Sequence, residues 1–145
     1  RAKKKKSADG AAKEAPKKKA PPAEPPTPDF SISFQVDDDQ SYRYAKASLD
    51  DNPIHVDPDT AKSAGLPNVI LHGLCTMAMS GKSVVDQLAD GDPSRLHRLG
   101  VRFASPVFNS ATLTTQGWNT EKGSNFIVKD ESGKVVIANG VAEIR

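Results

Sequence analysis

Over residues 30–36 apolar and polar side chains alternate, Phe30, Ile32, Phe34 and Val36 against Ser31, Ser33 and Gln35. This period of two predicts a strand with one buried face. Asp37-Asp38-Asp39 ends it, and residues 40–48 predict a short helix of small residues. After a loop rich in Asp, Asn and Pro, residues 57–65 predict a second short helix, opened by Pro58 and closed by Gly65, whose length marks a surface excursion. The longest helical pattern covers residues 73–89. There Leu74, Met77, Ala78, Gly81, Val84, Val85 and Leu88 recur at helical spacing, with Lys82, Ser83, Asp86 and Gln87 opposite. Gly81 and Ala78 narrow the apolar face, so that the helix can lie close to a sheet, and Gly91 and Pro93 stop it. Residues 96–108, 111–118, 124–129 and 135–143 then read as strands, with turns at 109–110, 121–123 and 131–133. One strand, a central helix and four antiparallel strands make an α+β layout, a curved sheet around one long helix.

Composition divides the chain in two. Of its 145 residues 37% are apolar and 26% charged, with net charge +2, as for one globular domain. Residues 1–29, however, hold nine of the twenty Lys+Arg and six of the eleven Pro and lack any aromatic residue. That stretch reads as a disordered, polyproline-biased tether, and residues 30–145 as the folded domain. Lysine clusters can grip nucleic acid, but no aromatic is interleaved to stack on bases, so a solvated linker is expected and no nucleic-acid partner. No apolar run is long enough to span a membrane, and no apolar segment of signal-peptide type follows the first lysines. One cysteine excludes an internal disulfide, and three histidines build no zinc array. A reducing, cytoplasmic or organellar compartment is expected.

Three segments carry candidate chemistry. In residues 48–55, Asp50 and His55 stand five positions apart across Pro53, and such a pair can share a water as general acid and base. The same residues also suit a plain Asx turn. In residues 69–74, an apolar run enters His72-Gly73 at the start of the long helix. Unpaired N–H groups there can hold an oxygen that gains negative charge, or Gly73 merely permits a tight turn. Cys75 lies in the first helical turn, as a nucleophile or, among Leu74, Thr76 and Met77, as a small buried hydrophobe. Asp50, His55, Asp57, Asp59 and His72 offer metal-ligand types without a metal-site spacing, and no metal is expected. His97 reads as part of a solvated edge and Trp118 as sheet packing.

Taken together, residues 44–58, Ala64-Gly65-Leu66-Pro67 and residues 70–76 (Ile-Leu-His-Gly-Leu-Cys-Thr) closely resemble the MaoC-like family of (R)-specific enoyl-CoA hydratases. Asp92-Pro93-Ser94-Arg95 and residues 101–107 resemble later segments found in the second half of two-repeat hydratases. The resemblance implies the hotdog fold and a hydro-lyase that interconverts trans-2-enoyl-CoA and (3R)-3-hydroxyacyl-CoA, with no metal or redox cofactor. It implies that Asp50 and His55 activate the water and that Ser48 and Asn52 hold the loop. The Gly73 N–H would receive the thioester oxygen. Asp51, Asn52, Pro53, Ile54 and Phe103 would line the acyl-CoA site, with His72 in support. Leu49 stands where the family signature has glycine, and a left-handed backbone there would strain a leucine.

Two other functions fit a hotdog domain: an acyl-CoA thioesterase, in which a carboxylate directs water at the thioester carbonyl, and a non-catalytic binding or dimerisation module. A hotdog sheet leaves a long edge, so pairing is expected, as a homodimer or as a pseudo-dimer with an upstream repeat. Arg1 in place of an initial methionine fits an upstream part. A cytoplasmic location is expected, or a peroxisomal one in a eukaryote, although Ala142-Glu143-Ile144-Arg145 does not resemble a peroxisomal address.

Overall fold

The alternating segments form five strands: β1 (Phe30–Gln35), β2 (Leu96–Phe103), β3 (Thr112–Thr120), β4 (Gly123–Lys129) and β5 (Val135–Ile144). Between β1 and β2 lie helices α1 (Gln40–Ser48), α2 (Pro58–Ser63) and α3 (Gly73–Leu88), with a 3-10 turn at Pro53–His55. The computed structural model describes residues 26–145, so the tether expected over residues 1–25 lies outside the described residues. Residues 26–29, grouped with that tether by composition, are hydrogen-bonded to the sheet. Trp118 Nε1 donates to the Pro26 carbonyl (2.7 Å), and the Asn119 N–H donates to Asp29 Oδ2 (2.6 Å).

The strands form one antiparallel sheet in the order β1-β3-β4-β5-β2, which puts β1 and β2 at its edges. Along β3 the buried positions are Leu113, Thr115 and Gly117, and along β4 Ser124, Phe126 and Val128, as the period of two requires. α3 contacts β2, β3, β4 and β5, so the sheet curves round it. Phe126, Leu113, Ile137, Val36, Val84, Val128 and Val136 fill the space between. At Gly81 a Cβ would come within 2.7 Å of Leu99 Cδ2, so glycine sets the approach of α3 to β2.

Two expectations need correction. β2 stops at Phe103 rather than 108: the Ala104 and Ser105 N–H groups both turn to the Val136 carbonyl (2.9 and 3.4 Å), and Pro106 has no N–H to extend the ladder. The chain then crosses to the segment that leads into α3, where the Leu71 N–H donates to the Val107 carbonyl (2.7 Å). The buried face of α3 is also rotated from the apolar stripe. It carries Cys75, Thr76, Ser80, Ser83 and Val84, whereas Leu74 is 62% exposed and Ala78 is exposed. The Ser80 hydroxyl donates to the Met77 carbonyl (3.0 Å) and Ser83 to Met79 (3.4 Å), which lets small polar residues enter the core with their hydrogen bonds made.

Candidate active site

The site is built from the loop after α1 and the entry into α3. α1 closes on Leu49, at φ 62° and ψ 20°, so the leucine does occupy the left-handed region. Ser48 staples the turn: its hydroxyl donates to the Tyr44 carbonyl (2.8 Å) and accepts the Asp50 N–H (3.3 Å). Asn52 Oδ1 accepts the Ile54 N–H (3.4 Å) and Pro53 opens the 3-10 turn, so His55 enters the buried side of the loop.

Hydrogen-bond partners assign both tautomers. His55 Nδ1 lies 2.7 Å from the Ile70 carbonyl oxygen, which can only accept, so Nδ1 carries a hydrogen and Nε2 is the nitrogen left to offer a lone pair. By the same argument His72 Nε2 donates to the Asp50 carbonyl oxygen (2.8 Å), while the buried His72 Nδ1 has no partner. The two rings stack with centroids 3.8 Å apart and planes 23° apart, and Tyr44 tilts onto His72 at 4.8 Å.

A carboxylate oxygen of Asp50 and one nitrogen from each ring lie within 4.8 Å of one another. Two hydrogen bonds of about 2.8 Å from one water span about 4.6 Å. The separation therefore suits a water bridging carboxylate and imidazole. Metal binding suits it less, because stacked rings direct their in-plane lone pairs along nearly parallel planes that do not converge on one ion.

Beside this group lies a cavity of about 360 Å³ whose lining includes His55, Gly73, Thr76, Phe103, Pro106 and Val107. Gly73 is the first residue of α3, and among the described residues its N–H and that of Leu74 have no partner within the chain. Positive partial charge is thus presented there. The Phe103 ring covers Gly73 closely enough that a Cβ would sit 3.1 Å from it.

The structure therefore brings Asp50, His55, His72, Gly73 and Phe103 together, with Ser48 and Asn52 shaping the loop. Asp51, Asn52 and Pro53 are exposed, and neither they nor Ile54 line the Gly73 cavity. Asp51 instead faces a separate groove with Tyr42, Lys46, Leu49 and Val56. Asp57 caps α2, where the Thr60 hydroxyl, then the Asp59 N–H, hold its carboxyl below the usual carboxylate range. Burial pushes the Cys75 thiol up, the reverse of what a nucleophile needs. Sequence reasoning missed Thr76, Pro106 and Val107 as lining residues. Thr76 was within reach, because three residues after Gly73 falls on the same helical face.

The MaoC like domain family matches residues 19–141. The chain belongs to the MaoC-like dehydratase family. Mouse (Mus musculus) peroxisomal multifunctional enzyme type 2 is 44% identical over 100 residues, 68% of this chain and 14% of that protein. Probable enoyl-CoA hydratase 2 of Dictyostelium discoideum is 34% identical over 119 residues, 81% of this chain and 40% of that protein. Among solved structures, the MaoC-like dehydratase of Phytophthora capsici superposes with a TM-score of 0.79 at 30% identity, over 96% of this chain and 49% of that one. The chain thus spans less than half the length of each. The sheet wrapped round α3 is the hotdog fold of these MaoC-like neighbours.

Proposed function

We propose that this MaoC-like domain catalyses the reversible, (R)-specific hydration of trans-2-enoyl-CoA to (3R)-3-hydroxyacyl-CoA. The observation that carries the reading is that the cavity is lined by His55 and by Gly73, whose N–H at the start of α3 is unpaired among the described residues, while the Asp50 carboxylate stands beside it within 4.8 Å of the His55 ring. Hydration needs a base for water, an acid for C2 and a donor for the carbonyl oxygen, and these groups supply all three.

In the forward direction the bridged water donates to His55 Nε2 and to Asp50. Its oxygen bonds to C3 as its proton passes to the pair, and the π electrons move through C2 toward the thioester oxygen. That oxygen, now enolate-like, accepts from the Gly73 N–H with the helix dipole behind it. A proton from the pair then reaches C2, so the net change is addition of H and OH. The reading needs no metal or redox cofactor, because CoA enters as part of the substrate.

The reading extends to partners and setting. The outer edge of β2 is unpaired within the sheet, and Phe103 at its end is 50% exposed. Such an edge suits a second hotdog unit, either another copy or an upstream repeat. The relatives named as peroxisomal enzymes favour a peroxisomal setting. No helix among the described residues is long and apolar enough to cross a membrane.

The test is the loss of enoyl-thioester absorbance with crotonyl-CoA and longer enoyl-CoAs, with chiral analysis of the product. Wild type is expected to yield the (3R) product, and Asp50→Asn to lose about a hundredfold or more of the rate. Release of free CoA without hydration would overturn the reading in favour of a thioesterase. No turnover by the folded chain would overturn it in favour of a binding module.

A further inference from the structure

We propose that His72 is a positioning residue that sets Asp50 against His55, an inference that rests on the hydratase reading above. Its Nε2–H holds the Asp50 carbonyl (2.8 Å), its face stacks on His55 (3.8 Å), and its own carbonyl accepts the Cys75 and Thr76 N–H groups that start α3 behind Gly73 (both 3.1 Å). One side chain and its peptide therefore tie together the three groups assigned to water activation and oxyanion binding.

The burial pattern sets His72 apart from an ordinary core histidine. It is 2% exposed, yet Nδ1 is left without a partner, a loss the fold tolerates while the other nitrogen is aimed at the backbone of Asp50. Among the described residues, the one other hydrogen bond that joins the backbone of residues 50–52 to anything outside their own loop is the long one from the Asp50 N–H to the Ser48 hydroxyl at the end of α1 (3.3 Å). The loop also begins on the left-handed Leu49, so it carries strain that an anchor must resist. Without the Nε2–H donor, the Asp50 carbonyl loses its tie and the carboxylate drifts from His55. A displacement of about 1 Å at such a pair lowers turnover about a hundredfold.

The test compares two variants of the full chain, with kcat and KM for crotonyl-CoA and melting temperature measured for each. His72→Gln keeps an N–H donor at about the reach of Nε2, and His72→Phe keeps a flat ring without a donor. His72→Phe is expected to lose about 30- to 100-fold in kcat with KM changed less than about threefold, and His72→Gln to return within about tenfold of wild type. Wild-type kcat in His72→Phe overturns the proposal, as does equal loss in both variants at similar melting temperature. Should either variant fail to fold, ¹⁵N NMR of the wild-type imidazoles decides: Nε2–H at His72 with Nδ1–H at His55 supports the proposal, and Nδ1–H at His72 overturns it. The NMR result stands even if the wild-type chain hydrates no enoyl-CoA, which would sink the hydratase reading alone.

Discussion

Leu49→Gly should stabilise the protein, although it removes an apolar side chain. Leu49 sits at φ 62° and is 87% exposed. An L-residue in the left-handed region carries about 1–2 kcal/mol of steric strain, which glycine relieves. Against this, glycine gives the unfolded chain more freedom, about 0.5–1 kcal/mol. The small contact area lost with an exposed leucine adds about 0.3 kcal/mol. The balance is a gain of about 0.5 kcal/mol, a rise in melting temperature of about 1–2 °C for a chain of this size. Leu49→Ala is the control, because it loses the same contacts yet keeps the Cβ that causes the strain. Thermal and urea unfolding of the three proteins, with crotonyl-CoA turnover alongside, makes the assay. Glycine above wild type and alanine at or below it is the expected order, with turnover within about twofold because the backbone of the loop is already in place. Alanine as stabilising as glycine would refute the reasoning, since burial and not backbone strain would then govern the position.

Two further predictions come from the same geometry. Gly73→Ala places a Cβ 3.1 Å from the Phe103 ring, which is half exposed and can swing aside. Stability should change by less than about 1 kcal/mol. Hydration should fall about tenfold or more, because the methyl and the displaced ring intrude on the helix N-terminus; unchanged turnover would contradict the role given to that site. Asp57, Asp92 and Asp130 are held below the usual carboxylate range, first by the hydroxyls of Thr60, Ser94 and Ser132 and then by local N–H groups. A lowered folded value favours the native state above the ordinary carboxylate value of 3.8, and that stabilisation is lost as pH falls through the lower folded values. Urea midpoints should therefore fall below about pH 4, and more shallowly in Asp57→Asn than in wild type; parallel curves would count against the assignment.

The alternation at Phe30, Ile32, Phe34 and Val36, the Pro58 and Gly73 helix starts and the stops at Gly91 and Pro93 were legible in the sequence, because each rests on the geometry of a few neighbouring residues. So was the meeting of the segments around Asp50 and His72, through the family resemblance. Tertiary structure alone decided which face of α3 is buried. Periodicity counts Thr76, Ser80 and Ser83 as polar, yet their hydroxyls bond to backbone carbonyls in the preceding turn, and Leu74 is left exposed instead. It also decided that Asp51 turns away from the Gly73 cavity while Thr76, Pro106 and Val107 turn toward it. The stacking of His55 on His72 was equally out of reach. The rings are seventeen positions apart in sequence, and their contact exists only because the Ile70 and Asp50 carbonyls, brought together by the fold, each hold one ring. Local patterns report what a segment prefers, whereas a site depends on distances between segments, and those are set only when the sheet closes over α3.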